Sequence, residues 1–228
     1  MYLTKFTNMK KLLITFTILL SNVLSAQELP QVINDDNQII RHNGYTISYN
    51  ETYEQPNWVM YTLKPSDLIG EVKADRKNFK EDTMVSTGSA SLNDYKGSGY
   101  DRGHLKPAGD EAYDQAQMNE TFLMSNVSPM ESGFNRGVWV KLENYVRDVA
   151  ASSDSIIVVT GGVLVIGLKM IGENHVAVPN YFFKNIKVYK NGVMKEYCYL
   201  LPNKKTYAEL YTFRIELNVR QQLIGLEF

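Results

Sequence analysis

Cys198 is the only cysteine in the 228 residues, so no internal disulfide can form and a metal site built on several thiolates is excluded. Stability has to come from a buried core. Positive charge is not in excess either: 24 Lys and Arg stand against 25 Asp and Glu. A protein that holds nucleic acid by neutralising many phosphates is usually basic, so any such binding here needs its positive charge gathered at one site. No apolar stretch reaches the roughly 20 residues that a bilayer crossing requires. The chain also has no internal repeat, no low-complexity segment and no nucleophile-elbow motif for serine hydrolysis.

What is present begins with a targeting pattern. Lys5, Lys10 and Lys11 precede an apolar run from Leu12 to Leu20 that ends near Ser25-Ala26, which reads as a bacterial-type signal peptide over residues 1–26. Its removal leaves 21 Lys and Arg against 25 Asp and Glu and implies export to the periplasm or the medium. Residues 27–43 are polar with little period and read as a flexible lead-in. Residues 44–228 suit one domain with enough Tyr, Phe, Val, Ile and Leu for a substantial core.

Within that domain the patterning alternates between strand and helix. Tyr45–Tyr49 and Trp58–Leu63 read as strands separated by the turn-prone Glu54-Gln-Pro-Asn57, and the polar stretch from Glu71 to Tyr100 reads as loop. A short helix is expected from Tyr113 to Asn119 and a strand over Phe122–Val127. From Asn135 to Ala150 the period becomes helical, with Val138, Leu142, Tyr145 and Val149 on one apolar face. Ser155–Thr160 is a continuous apolar run, read as a buried strand stopped by Gly161-Gly162. Further strands are expected around 176–178, 182–189, 196–201 and 211–216. The mixture predicts an α+β fold with a mostly antiparallel central sheet flanked by helices.

Two segments carry chemistry. In Tyr100-Asp-Arg-Gly-His-Leu-Lys-Pro-Ala108 an imidazole sits beside an arginine and a glycine that permits close approach. Histidine is the side chain whose ordinary pKa lies nearest neutral pH, so it can take a proton from water. A lone histidine is more often structural, and His42 and His175, without acidic or cysteine partners at ligand spacing, are taken as such. The second segment is Asn135-Arg-Gly-Val-Trp-Val-Lys-Leu-Glu143, with Arg147 one turn beyond. On a regular helix Asn135, Trp139, Glu143 and Arg147 form one slowly turning stripe that can face a single cleft. Taken alone, that stripe reads rather as an ordinary surface helix with a Glu-to-Arg pair.

Together these segments resemble the DNA/RNA non-specific endonucleases of the ββα-metal, or His-Me finger, class. The likeness rests on Asp101-Arg-Gly-His104, Thr121-Phe-Leu-Met-Ser-Asn-Val-Ser-Pro129, and Phe134-Asn-Arg-Gly-Val-Trp139 with Leu142-Glu143. Weaker echoes, among them Pro179-Asn-Tyr-Phe-Phe-Lys184, extend it over roughly 44–228. The resemblance implies a ββα-metal finger in which His104 is the general base and Asn135 the one direct protein ligand of a Mg²⁺ ion, Mn²⁺ being the alternative. Glu143 would act on the metal through water. Arg102 and Arg147 would contact phosphate, Asn126 would support the site's geometry, and Asp101 would orient neighbours rather than bind metal. The family's upstream arginine falls on Arg76, with Lys77 aligning almost as well.

DNA and RNA are then the substrates, cut without sequence preference, and a homodimer is an expected assembly. Two rival readings stay open: an idle nucleic-acid-binding protein on the same scaffold, and a phosphodiesterase for small substrates.

Overall fold

The computed structural model describes residues 29–32, 37–224 and 226–227. The segment read as a signal peptide, 1–26, lies outside the described residues. A seven-stranded antiparallel sheet organises the molecule, its strands running Arg214–Ile215, Val193–Pro202, Tyr181–Lys190, Ser155–Gly162, Gln55–Leu63, Thr46–Asn50 and Gln38–Arg41 from one edge to the other. The α+β fold with an antiparallel centre is as the patterning predicts.

Ser155–Gly162 is the middle strand, and both its faces are covered, which explains why its sequence is apolar without alternation. One face carries Val59, Tyr61, Leu63, Ile156, Val158, Phe182 and Ile186 and packs on the long helix Val140–Ala151 and the turn before it, through Trp139, Leu142, Val146 and Ala150. Each such fully buried side chain contributes roughly 1.5–3 kcal/mol. The other face, with Trp58, Met60, Val159 and Phe183, is covered by Leu29, Val163, Leu200 and Ile224. Cys198 is buried in the sheet, and burial pushes its thiol up to about 12.

Several elements differ from the sequence reading. The stretch read as a loose lead-in contributes two strands. Gln31–Val32 pairs with Leu226–Glu227, and Gln38–Arg41 forms a sheet edge. Only Ile40 of that edge is buried, so no apolar period shows. Gln55 to Asn57 belong to the sheet rather than to a turn, because a register shift at Ser48/Tyr49 lets the strand carry Pro56 opposite Tyr49. Gly161 and Gly162 extend the central strand instead of ending it. A Cβ on Gly161 would come within 2.4 Å of the Asn57 carbonyl oxygen, so the glycine permits the close strand packing. The expected strand over Phe122–Val127 is a single bridge from Leu123 to Lys80 followed by a short 3-10 turn, Met124–Asn126, and the strand proper starts at Val127. The segment around 211–216 is mostly a 3-10 turn, Leu210–Phe213, with a strand of two residues after it.

The pieces next to the long helix join its core through Leu105 and Met130. Asp101–His104 and Val127–Met130 form an antiparallel ribbon, with Asp101 opposite Met130 and His104 opposite Val127. A satellite core of Phe79, Tyr95, Met118, Phe122, Met124, Val127 and Val176 packs beside it. The ribbon is thus held between this second core and the long helix.

Candidate active site

The ribbon's geometry begins with Gly103. A Cβ there would lie 2.2 Å from the Met130 sulfur, so only glycine lets the strands approach over that side chain. Residue 103 faces the core, and with the twofold alternation of a strand Arg102 and His104 face the opposite way. The His104 ring sits against two aromatics, 5.2 Å from Phe79 and 5.0 Å from Phe122 in an edge-to-face contact at 90°. Arg102 lies over the other ring contact, its guanidinium carbon 4.7 Å from the Phe79 centroid.

The backbone just beyond His104 is fixed from two directions. Fully buried Asn126 accepts from the Lys106 amide at 2.9 Å and donates to the carbonyls of Lys106 at 3.0 Å and Thr121 at 2.8 Å. Its own carbonyl accepts from the Leu105 amide at 3.0 Å. From below, Trp139 Nε1 donates to the His104 carbonyl at 3.2 Å, and buried Lys184 donates to that of Leu105, also at 3.2 Å.

The helix does not enter as one regular α-helix. A short turn, Ser132–Phe134, runs into a π-helical turn, Asn135–Trp139, with a non-helical Gly137, before Val140–Ala151 continues. The wide turn adds a residue and shifts the phase. Asn135, Val140, Glu143 and Arg147 therefore share the cleft face, while Trp139 is fully buried beneath it. The expected stripe is corrected at that one position.

Asn135 Nδ2 donates to Asp101 Oδ2 at 3.2 Å, and Arg136 grips the same carboxylate through Nε at 2.9 Å and Nη2 at 3.0 Å. Partial burial works against a charge on Asp101, but the bonds from Arg136 and Asn135 outweigh it and hold the carboxyl below the usual range. A carboxylate only accepts, so the Asn135 nitrogen faces Asp101 and its oxygen is the atom left to offer.

Glu143 and Arg147, both partly exposed on the cleft, join a polar group whose other members, Lys184, Asp110 and Tyr61, are buried. Arg147 Nη1 donates to Asp110 Oδ1 at 2.8 Å, Tyr61 donates to Asp110 Oδ2 at 3.0 Å, and Arg147 Nη2 donates to Asn144 Oδ1 at 2.6 Å. The ion pair of Arg147 is thus with Asp110, not with Glu143 one turn before it. Burial pushes the Glu143 carboxyl above the ordinary carboxylate range; Lys184 opposes that, Asp110 adds to it and Arg147 opposes it. Burial likewise lowers the Lys184 ammonium, against the pull of Glu143 and Asp110.

Arg102, His104, Asn135, Glu143 and Arg147 line one cleft of about 580 Å³, with Phe79, Phe122 and Val140 as its apolar wall. Asn126 stands behind it. The Arg76 backbone opens a 3-10 turn at Arg76–Asn78, and its side chain lies outside what is described. Lys77 is exposed on a neighbouring hollow with Asn78, Phe79 and Asn119 rather than on the cleft. Sequence reasoning missed Asp110, Arg136 and Lys184 as parts of the site. Lys184 carried a signal, a lysine at an alternating position shared with Phe182, Ile186 and Val188, whereas Asp110 and Arg136 look like ordinary surface charges.

Among the described residues no three His, Cys, Asp or Glu side chains are grouped to hold a metal. The cleft instead offers the neutral oxygen of Asn135 and the carboxylate of Glu143. So sparse a set of hard oxygen donors fits Mg²⁺, which keeps several waters when bound.

A two-stranded ribbon and a following helix, with an imidazole on the first and a carboxamide at the entry to the second around one cleft, define a ββα-metal finger. The chain belongs to the DNA/RNA non-specific endonuclease family, whose model matches residues 27–228, including the segment read as a lead-in. It is 34% identical over 206 residues to Nuclease C1 of Cunninghamella echinulata var. echinulata, covering 83% of this chain and 81% of that one. Over 178 residues it is 34% identical to human mitochondrial endonuclease G, covering 73% and 60%. Mouse mitochondrial nuclease EXOG is 31% identical over 207 residues, which are 82% of this chain and 56% of that one. The chain thus spans little more than half the length of that mouse relative. Its fold is similar to the crystal structure of the EndoG/EndoGI complex, with a TM-score of 0.78, 29% identity and coverage of 83% and 84%.

Proposed function

We propose that the protein is a divalent-metal-dependent endonuclease that hydrolyses phosphodiester bonds of DNA and RNA without sequence preference. The observation that carries this is the convergence of His104, Asn135, Glu143, Arg147 and Arg102, drawn from a strand and a helix, on one cleft. His104 takes the proton of the attacking water, its ring held between Phe79 and Phe122. Arg102 and Arg147 meet the phosphate from either side and offset the negative charge that grows on it. Asn135 and Glu143 are the residues that would hold Mg²⁺, which when bound polarises a non-bridging phosphate oxygen and stabilises charge on the departing one.

Departure of the 3′ oxygen, which takes a proton from solvent water, leaves 5′-phosphate and 3′-hydroxyl ends. None of the proposed contacts is to a base edge, and binding through the backbone alone gives activity on many sequences. Arg76 is the candidate for a further contact to the phosphate. The Lys-flanked apolar run at the amino terminus supports export, with cleavage after residue 26.

Purified protein incubated with plasmid DNA and with structured RNA, in Mg²⁺ or in EDTA, tests the activity. Degradation of both in Mg²⁺ alone is expected, with ends that a ligase joins without prior phosphorylation. Intact polynucleotide beside metal-loaded protein would overturn the proposal. Amino-terminal sequencing of protein recovered outside the cytoplasm tests export.

A further inference from the structure

Beyond the cleft, the loop 203–207, Asn-Lys-Lys-Thr-Tyr, is locked onto the finger. Asn203 Nδ2 donates to the carbonyls of Pro129 at 3.1 Å and Pro179 at 2.9 Å, and its Oδ1 accepts from the Glu131 amide at 2.8 Å. Pro129 lies in the second strand of the ribbon, one residue before its end, and Glu131 caps the turn that leads to Asn135. The stem of Lys205 then lies over Gly133, where an added Cβ would come within 2.8 Å of it, two residues ahead of the carboxamide. The Lys205 ammonium sits 5.1 Å from the centre of the Tyr207 ring, which is 83% exposed. Lys204 is exposed beside it, on a hollow of about 430 Å³ that also holds Tyr100, Tyr181 and Glu131. The Glu131 carboxylate is engaged with the Phe134 amide at 2.9 Å. An open aromatic ring this exposed contributes nothing to the core.

We propose that this loop is a polynucleotide subsite, in which Lys204 and Lys205 take phosphates of the strand leaving the cleft and Tyr207 stacks on one of its bases. The inference rests on the nuclease reading above and deepens it. The chemistry is that of single-strand binding: cations that follow the backbone beside a ring that accepts any base, since every base has a π-face. A subsite of that kind adds affinity without adding sequence preference. It also gives a chain with no positive excess a local cationic track where the substrate needs one. The anchoring by Asn203 means the loop is already ordered before substrate arrives, so little ordering cost is charged against its contacts.

Binding of a fluorescein-labelled single-stranded DNA of about 20 nucleotides, followed by anisotropy in EDTA, separates this inference from catalysis. The test variant combines Lys205→Gln with Tyr207→Ala; a charge-matched reference carries Lys195→Gln on the far hairpin. The loop variant is expected to bind on the order of tenfold more weakly. Its dependence of log affinity on log salt should be shallower by about 0.7, the value for one phosphate contact. The reference variant should keep the wild-type salt slope. Equal losses in the two variants, or none in the loop variant while wild type binds and cleaves, would overturn the subsite. Wild type that neither binds nor cleaves polynucleotide would remove the nuclease reading itself.

Discussion

Asn135 and Asp101 are joined by a 3.2 Å hydrogen bond from the amide nitrogen to the carboxylate. That contact decides which end of the carboxamide is offered to a cation, because an ionised carboxylate can only accept. Groups that orient a metal ligand are typically worth 10- to 100-fold in metal affinity or activity, so a loss of roughly that size is expected for Asp101→Ala. The loss should appear as a rise in the Mg²⁺ concentration giving half-maximal rate on plasmid. Asp101→Asn, whose Oδ1 still accepts, should fall between wild type and alanine. A metal dependence that does not move would show that Asn135 is held by other means.

His104 presents a different signature. Removing a general base typically lowers the rate by ~10² to 10⁴, and His104→Ala should do so in kcat while oligonucleotide affinity in EDTA stays near that of wild type. The ring's neighbours are Phe79 and Phe122, so its replacement leaves Arg102 and Arg147, the proposed phosphate contacts, in place. A variant that cleaves at the wild-type rate would assign the base to another group.

Much of this site was legible because its parts are local. The Asp101–His104 and Asn126 segments declare themselves by residue type, and the helix by its apolar period. What was not legible depends on distant partners or on irregular backbone. Nothing local marks Asp110 as the partner of Arg147, since the pair is 37 residues apart and joined only by the fold. The π-helical turn at Asn135–Trp139 is likewise invisible to a 3.6-residue period, which therefore put Trp139 in the cleft instead of the core. The edge strand Gln38–Arg41 was hidden because a strand with one buried residue shows no alternation.

Lys184 lies among Phe182, Ile186 and Trp139 on the helix-facing side of the sheet, with its ammonium 4.7 Å from the Trp139 ring centre. Burial raises the Glu143 carboxyl above the ordinary range, and Lys184 is the first of the charges that pull it back. Loss of that cation therefore raises Glu143 further. If Glu143 works as a carboxylate, the acid limb of the kcat against pH profile should move to higher pH in Lys184→Met. The activity deficit should be largest in mildly acid solution and narrow as the pH rises. An acid limb that stays where wild type has it would mean that Glu143 does not set it.

Behind the Ser125-Asn126 segment, Asp82 accepts from the Ser125 hydroxyl, lies 3.0 Å from His42 Nε2, and accepts from the Met84 amide at 3.0 Å. Its side chain is almost fully buried, and burial alone would raise its pKa, but the bonds from His42, Ser125 and Met84 outweigh that and hold it below the usual carboxylate value. A carboxyl whose folded pKa is depressed contributes stability that is fully present above its unfolded pKa and is lost as pH falls through the folded one. Asp82→Asn should therefore cost roughly 1.5–3 kcal/mol near neutral pH, the range for hydrogen bonds to a charged group. The gap to wild type should hold down to about pH 5 and close below about pH 4, where the ordinary aspartate titrates. Urea unfolding at a series of pH values measures it. Because Ser125 precedes the asparagine that fixes the backbone after His104, cleavage by the variant should weaken together with its stability. A gap that persists undiminished at pH 3 would show that Asp82 acts through its shape and not its charge.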